Sequence, residues 1–373
     1  MIYLDYASGE KVNSSVLEVY TKSLKEDFAN PNSVHYLGKK LNTKIEESTS
    51  KILNILGLDD TYEIVYTSGA TESNNLAIKG LANRYKNFGK TIIISSLEHT
   101  SITASCEALT KEGFNVLVCH VTKKGLINIE ELKKMLNNDV ILVSITSLDS
   151  ELSLKQDIDS IKEVLNNYEN IHFHTDASSI IGKEQFNFNG IDLITIAPHK
   201  FGGIGDLGML IKKKNVFLNS IISGGRSTTV YRAGTPNCPS IIANTKALEL
   251  AINNQKDNYE YVKKLNNKIK EFLEKYPNIV INTRRESSPY IINFGIKNVL
   301  SNTLVDYLSE KEIYVSSKTS CCPVYSPSKL VLALTNNKNI ANESVRVSLS
   351  RNVKEEEIDI FLKELKCFLE RVD

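Results

Sequence analysis

Three short segments of this 373-residue chain carry side chains whose types and spacing suit chemistry. In Tyr66-Thr67-Ser68-Gly69-Ala70-Thr71-Glu72 an apolar run passes through small residues straight into a helical pattern. A helix that starts so presents free N–H groups and the positive end of its dipole, and Thr71 adds a hydroxyl, so the turn can hold a phosphate. An ordinary N-cap is the plainer reading of the same residues. His172-Phe173-His174-Thr175-Asp176 ends an apolar run on a carboxylate, where α/β sheets place their ligand sites. Asp176 would there pair with a protonated pyridine nitrogen, or merely cap a loop. The third segment, 192–200, ends in His199-Lys200 and runs into Phe201-Gly202-Gly203-Ile204-Gly205. A lysine held among cations or apolar groups loses its proton near neutrality and forms an imine with a carbonyl. Each segment alone has a bland explanation. Together they supply phosphate anchor, pyridinium partner and imine lysine, the minimum inventory for pyridoxal phosphate (PLP).

The elements that must position these groups follow from hydrophobic periodicity. Val- and Ile-rich runs at 63–67, 91–95, 115–119, 140–145, 171–175, 193–197 and 207–211 read as strands. Amphipathic stretches at 72–85, 102–111, 129–136 and 157–165 lie between them as helices. The alternation predicts an α/β fold with a mostly parallel sheet. From about Ser240 the pattern changes to one long helix over 241–276, stopped by Pro277, and then to strand and helix pieces at 291–294, 303–310, 345–349 and 355–370. This predicts a smaller α+β domain at the C-terminus. The expected division is a large domain over 15–255 and a small one formed by 1–14 and 256–373.

Composition narrows the function classes. The 45 Lys and Arg nearly balance the 44 Asp and Glu, so no whole-protein field recommends nucleic acid or an anionic membrane as partner. The N-terminus lacks a signal-peptide pattern and no apolar stretch reaches membrane-spanning length, which predicts a cytoplasmic protein. The six cysteines form no CxxC pair, so neither a disulfide framework nor a metal site is expected. Cys106, Cys119 and Cys367 read as buried structural thiols, whereas the adjacent Cys321 and Cys322 stand apart.

These residues carry a resemblance to the cysteine desulfurases of the class V aminotransferase group, within the fold-type I PLP-dependent enzymes. It runs nearly end to end, through Tyr3-Leu4-Asp5-Tyr6, Asn30-Pro31-Asn32-Ser33, the 67–80 block, Glu98-His99, Asp176-Ala177, His199-Lys200, Arg232-Ala233-Gly234-Thr235 and Ser344-Val345-Arg346-Val347-Ser348. The resemblance implies a large domain with a seven-stranded sheet, PLP as cofactor, and conversion of L-cysteine to L-alanine with a persulfide passed to a sulfur acceptor. It implies that Ala70 and Thr71 hold the phosphate with help from His199, that His99 stacks on the pyridine ring, and that Asp176 pairs with its nitrogen. Lys200 would form the Schiff base and Arg346 would bind the substrate carboxylate, a contact that suits a planar guanidinium. Thr235 would reach the phosphate site of a neighbouring subunit, which implies a homodimer. Cys321 would carry the persulfide, with Lys318 lowering its pKa; the spacing to Pro327 leaves Cys322 open. The acceptor would be an iron–sulfur scaffold or a tRNA-thiolation protein.

The chain departs from the family pattern around the cofactor. Ser147-Leu148-Asp149-Ser150-Glu151 replaces a His-Val-Asn-Asn-Glu type segment, putting Ser150 where an amide would touch cofactor or substrate. Ser179 stands in place of a Gln at the cofactor's phenolic oxygen, and Ala197 in place of a phosphate-binding Ser. Ser8-Gly9-Glu10 replaces Ala-Thr-Thr, and Ser227-Thr228-Thr229 a Gln-Glu-Arg type segment. Each lost hydrogen bond to a charged group costs about 1.5 to 3 kcal/mol. Two alternatives therefore stand beside the desulfurase: a PLP lyase acting on selenocysteine or another β-substituted amino acid, and a homodimeric scaffold without catalysis.

Overall fold

The structure is a computed structural model that describes residues 1–225, 227–319 and 326–372. After a two-residue strand β1 (Ile2–Tyr3), seven strands build one sheet: β2 (Tyr62–Thr67), β3 (Thr91–Ser95), β4 (Asn115–Cys119), β5 (Val140–Ser144), β6 (His172–Asp176), β7 (Leu193–Ile196) and β8 (Gly208–Lys213). Their order is β2-β8-β7-β6-β5-β3-β4. All pairs are parallel except those of β8, which runs antiparallel to both β2 and β7.

Successive side chains of a strand point to opposite faces, and here both faces are covered. Ile64, Ile93, Val143, Ile194 and Ile211 pack into one core, and their neighbours Val65, Ile92, Leu142, Leu193 and Leu210 into another. A continuous apolar run, rather than an alternating one, is the sequence consequence. Buried polar side chains interrupt it, His174 among them. Register sets His174 beside Ser144 on β5, and its ring bonds Ser144 Oγ at 2.8 Å and Thr195 Oγ1 at 3.1 Å. Burial pushes His174 down to about 4, so it is a neutral core histidine that ties three strands together.

Two smaller sheets complete the chain. β9 (Ile279–Ile281), β10 (Ile291–Ile296) and β12 (Ser344–Ser348) are antiparallel, and β1 pairs in parallel with β11 (Ile313–Tyr314). Leu4, Val262, Leu265, Phe294, Val347 and Phe361 belong to the core that they share. Pairing of β1 with β11, followed by a bridge from Asp5 to Ser348, leads residues 5–10 towards the large sheet.

The single helix expected over 241–276 is two helices, Cys238–Asn253 and Gln255–Leu273, with Asn254 between them at φ −95° and ψ 1°. The break lies in the Asn254 dihedrals, since its backbone N–H still makes the helical bond to Leu250 O at 3.1 Å, which its side-chain amide shares at 2.9 Å. The helices Lys329–Thr335 and Lys338–Glu343 pack their Leu330, Val331, Leu334 and Ala341 on Leu97, Leu152 and Leu154, which belong to loops of the large sheet. Among the described residues no helix is long and apolar enough to cross a membrane, and no group of three or more His, Cys, Asp or Glu could hold a metal ion.

Candidate active site

β2, β3, β5, β6 and β7 run in the same direction, and the residues that follow them line a cavity of about 430 Å³. It contains Ala70, Thr71, His99, Ser150, Asp176, Ser179, His199, Lys200 and Arg346, which the sequence scatters over almost 280 positions. The C-terminal edge of a parallel sheet brings strand ends together, and this is why these loops meet.

One wall is the start of the helix Ala70–Asn75, which continues without interruption to Tyr85. Its N-cap is Gly69, with no side chain to satisfy the first N–H groups, so they remain available to an anion. Glu72 in the first turn accepts from Ser68 N–H at 2.7 Å and from Arg232 Nε at 2.8 Å, fastening the Arg232–Thr235 segment to this turn. Gly208 is required beneath it, because a Cβ there would collide with the Gly69 backbone.

Asp176 closes the other wall. Its Oδ2 accepts from Asn74 Nδ2 and its Oδ1 from Ser178 N–H, at 2.8 and 2.9 Å. Asn74 also donates to Ser101 Oγ at 2.8 Å. His99 caps the helix Thr100–Thr110: its Nδ1 accepts from Ser101 N–H at 3.1 Å. With Nδ1 acting as acceptor, the ring proton of the neutral imidazole sits on Nε2.

Lys200 projects from a single 3-10 turn, Pro198–Lys200, at the end of β7. Gly202, at φ +83°, turns the chain away immediately afterwards. The Lys200 ammonium donates to Ala7 O and, at 3.2 Å, to Ser8 O. Burial, then the charges of Lys183 and Arg346, push it down to about 8, while Asp176 and Asp5 oppose the shift. A free amine is therefore populated near neutral pH. His199 is pushed down to about 4 by burial and by Lys200, so it enters the site as a neutral donor.

Arg346 is only 1% exposed. Its Nη1 donates to Ser150 O at 2.8 Å, and its Nη2 to Asp5 Oδ1 at 2.6 Å and Ser8 Oγ at 2.8 Å. Nε is buried without a partner. Ser150 thus meets Arg346 through its backbone carbonyl, and Ser8, one of the departures from the family pattern, orients the guanidinium. Glu10, another departure, accepts from Ser350 Oγ and Asn352 Nδ2 at 2.8 Å each.

Cys321 and Cys322 lie outside the described residues. The two ends of their segment are held by one carboxylate: Glu151 accepts from Thr319 N–H and Oγ1 at 2.9 Å each, and from Ser328 Oγ. Asp149 shapes the turn that presents Glu151, accepting the N–H groups of Glu151, Leu152 and Leu154 at 2.9, 2.6 and 2.7 Å. Lys318 is engaged with Ser326 O across the same gap. Cys106, Cys119 and Cys238 are buried, and burial pushes Cys106 and Cys119 up to about 12; Cys367, expected to be buried, is only partly so.

The motif reading passed over Asn74, Asp5, Glu72, Arg232, Asp149 and Glu151, although several stand inside the quoted motifs. Their partners are 100 or more residues away in most cases, and only the fold reveals them. Thr235 is exposed and does not line this cavity. The residues present fit PLP: an uncapped helix start for its phosphate, a pinned carboxylate for its ring nitrogen, and a lysine of lowered pKa reach one cavity.

The aminotransferase class-V family profile matches residues 2–361. A protein named cysteine desulfurase IscS from Dictyoglomus turgidum is 33% identical over 376 residues, covering 100% of this chain and 95% of its own. A solved structure titled NifS-like protein superposes with a TM-score of 0.92 at 30% identity, covering 99% of each chain. Another, titled SspA in complex with cysteine, reaches a TM-score of 0.82 at 27% identity over 94% of this chain and 99% of that one.

Proposed function

This chain belongs to the aminotransferase class-V family, among its cysteine desulfurases, and on that premise we propose that it converts L-cysteine to L-alanine with PLP. The sulfur passes through a persulfide on a loop cysteine, Cys321 by preference over Cys322, to an acceptor protein. The observation that carries the reading is the meeting of Lys200, Asp176 and the uncapped helix start in one cavity.

When bound, PLP supplies an electron sink that makes the substrate's bonds at Cα and Cβ labile. Ala70, Thr71 and neutral His199 would hold its phosphate. Asp176, oriented by the Asn74 amide and Ser178 N–H, would hold the proton on the ring nitrogen. His99 would lie over the ring, with Nε2–H available as a donor. Arg346 would take the substrate carboxylate, using a guanidinium that Asp5 and Ser8 orient. Lys200, with its amine free near neutrality, would move the proton at Cα. The loop thiolate attacks the substrate sulfur, the Cβ–S bond breaks, and the carbon fragment takes up a proton to leave alanine. Ser150, Ser179 and Ala197 offer fewer donors than the family's usual residues, so weaker PLP retention is expected.

A two-domain division, 15–255 against 1–14 plus 256–373, is supported by the separate cores and the helix break at Asn254. A homodimer is supported by the exposure of Phe28, Val34 and Tyr36, at 79, 87 and 76%, and by Thr235 lying outside its own subunit's cavity. Unpaired Cys106, Cys119, Cys238 and Cys367 suit the reducing cytoplasm. An iron–sulfur scaffold or a tRNA-thiolation protein is the class of acceptor that a protein persulfide serves.

The test is a near-visible spectrum of the purified protein with PLP, before and after L-cysteine, with alanine and sulfide assayed. A band that L-cysteine changes, with alanine formed, is expected, and Lys200→Ala should abolish the band. A band without alanine from L-cysteine sinks the substrate assignment, and no band with PLP sinks the enzyme.

A further inference from the structure

A second cavity, of about 550 Å³, shares Lys200 with the first and has no other lining residue in common with it. It lies between residues 181–183, the helix junction around Asn254, and the segment 350–352.

Two side chains in its wall lack partners. Among the described residues the Lys183 ammonium has no hydrogen-bond or ion-pair partner, and it lies 5.8 Å from the centre of the Tyr290 ring. Tyr290 is 5% exposed, and its hydroxyl is buried with no hydrogen bond. Native proteins seldom leave a buried donor such as the Tyr290 hydroxyl unsatisfied, at a cost of about 1 to 3 kcal/mol, whereas Lys183 is only part-buried and lines the cavity. Burial pushes Lys183 down to about 8, with Glu10 opposing the shift.

The charge balance of the wall selects the sign of a ligand. Lys11, Lys183, Lys200 and Arg351 face one carboxylate, Glu10, and one of its oxygens is already taken by Ser350 and Asn352. We propose that this cavity is a second binding site, for a small oxyanion of carboxylate or phosphate type, with Lys183 supplying the charge and Tyr290 the hydroxyl donor. Tyr290 has no part in the chemistry described above, and Lys183 enters it only through the charge that helps to lower the pKa of Lys200. The site therefore stands whether or not the desulfurase reading does.

The experiment is calorimetric titration of the PLP-loaded protein, at constant ionic strength, with inorganic phosphate in one arm and succinate in the other. Loading with PLP occupies the phosphate anchor at Ala70 and Thr71, so the heat reports other sites. Saturable binding of one probe is expected, and the arm that saturates identifies the anion as phosphate or carboxylate. Lys183→Met should weaken it at least tenfold and Tyr290→Phe severalfold, with the PLP band retained in both. Tyr290→Phe removes one oxygen and keeps the packing, so it serves if Lys183→Met fails to fold. Binding that neither variant alters, or no saturable heat from either probe, overturns the proposal.

Discussion

At the residue scale the site depends on side chains that hold the reacting groups. Asn74 is the clearest, because it donates to Asp176 from a helix whose start faces the same cavity. Asn74→Ala removes one charge-assisted hydrogen bond, so the dissociation constant of PLP should rise roughly tenfold, as absorbance titration would show; an unchanged constant would mean that Ser178 N–H alone suffices. Glu98 shows how burial sets a protonation state. Its Oε1 accepts from Ser95 Oγ and Thr146 N–H at 2.7 Å each, its Oε2 has no partner, and burial pushes it up to about 8 despite those bonds. A carboxyl whose folded pKa lies above its unfolded one adds stability that is complete below about 4.5 and is lost as pH rises through about 8. Melting temperature should therefore fall between pH 5 and 8.5, and Glu98→Gln should flatten that fall. Lys200 gives a kinetic counterpart: only its neutral amine condenses with an aldehyde, so PLP uptake should accelerate with pH and level off above about 8.

At the element scale the turn 149–154 does what no single residue could. Asp149 is buried, pushed up to about 6 by desolvation against three N–H donors, and it folds the turn so that Glu151 reaches Thr319 and Ser328 on either side of the cysteine segment. Glu151→Ala strands the buried Ser328 hydroxyl donor, at a cost of about 1 to 3 kcal/mol in urea unfolding. PLP absorbance should persist in that variant while persulfide formation falls steeply; if both survive intact, the turn is not what holds the loop. Asn254 works at the same scale, since its non-helical ψ of 1° separates two helices that serve different cores.

At the scale of the whole molecule, Phe28, Val34 and Tyr36 expose apolar surface between the helices Ser14–Glu26 and Tyr36–Ile55. Large exposed side chains grouped so closely mark an association surface. Under the proposed homodimer, replacing Phe28 and Tyr36 together by Asp should lower the sedimentation coefficient to that of a single chain, and should weaken PLP binding through loss of the neighbour's Thr235. A double variant that sediments as the original does would remove this surface from the interface. Strands such as β3 and β5 were legible because both of their faces are covered and their residues therefore read as largely apolar runs. The cofactor segments were legible because a strand end followed by Lys, Asp or a glycine turn is a local pattern, written in consecutive residues. The hold of Glu151 on Thr319, of Asp5 on Arg346 and of Asn74 on Asp176 has no such local trace. Those contacts join residues far apart in the chain, and hydrogen-bond geometry, which fails beyond about 3.5 Å, is settled only when strand register and loop packing have brought the partners together. The same holds for the Tyr290 hydroxyl, which has no hydrogen bond among the described residues, since a missing contact becomes visible only after all the others have formed.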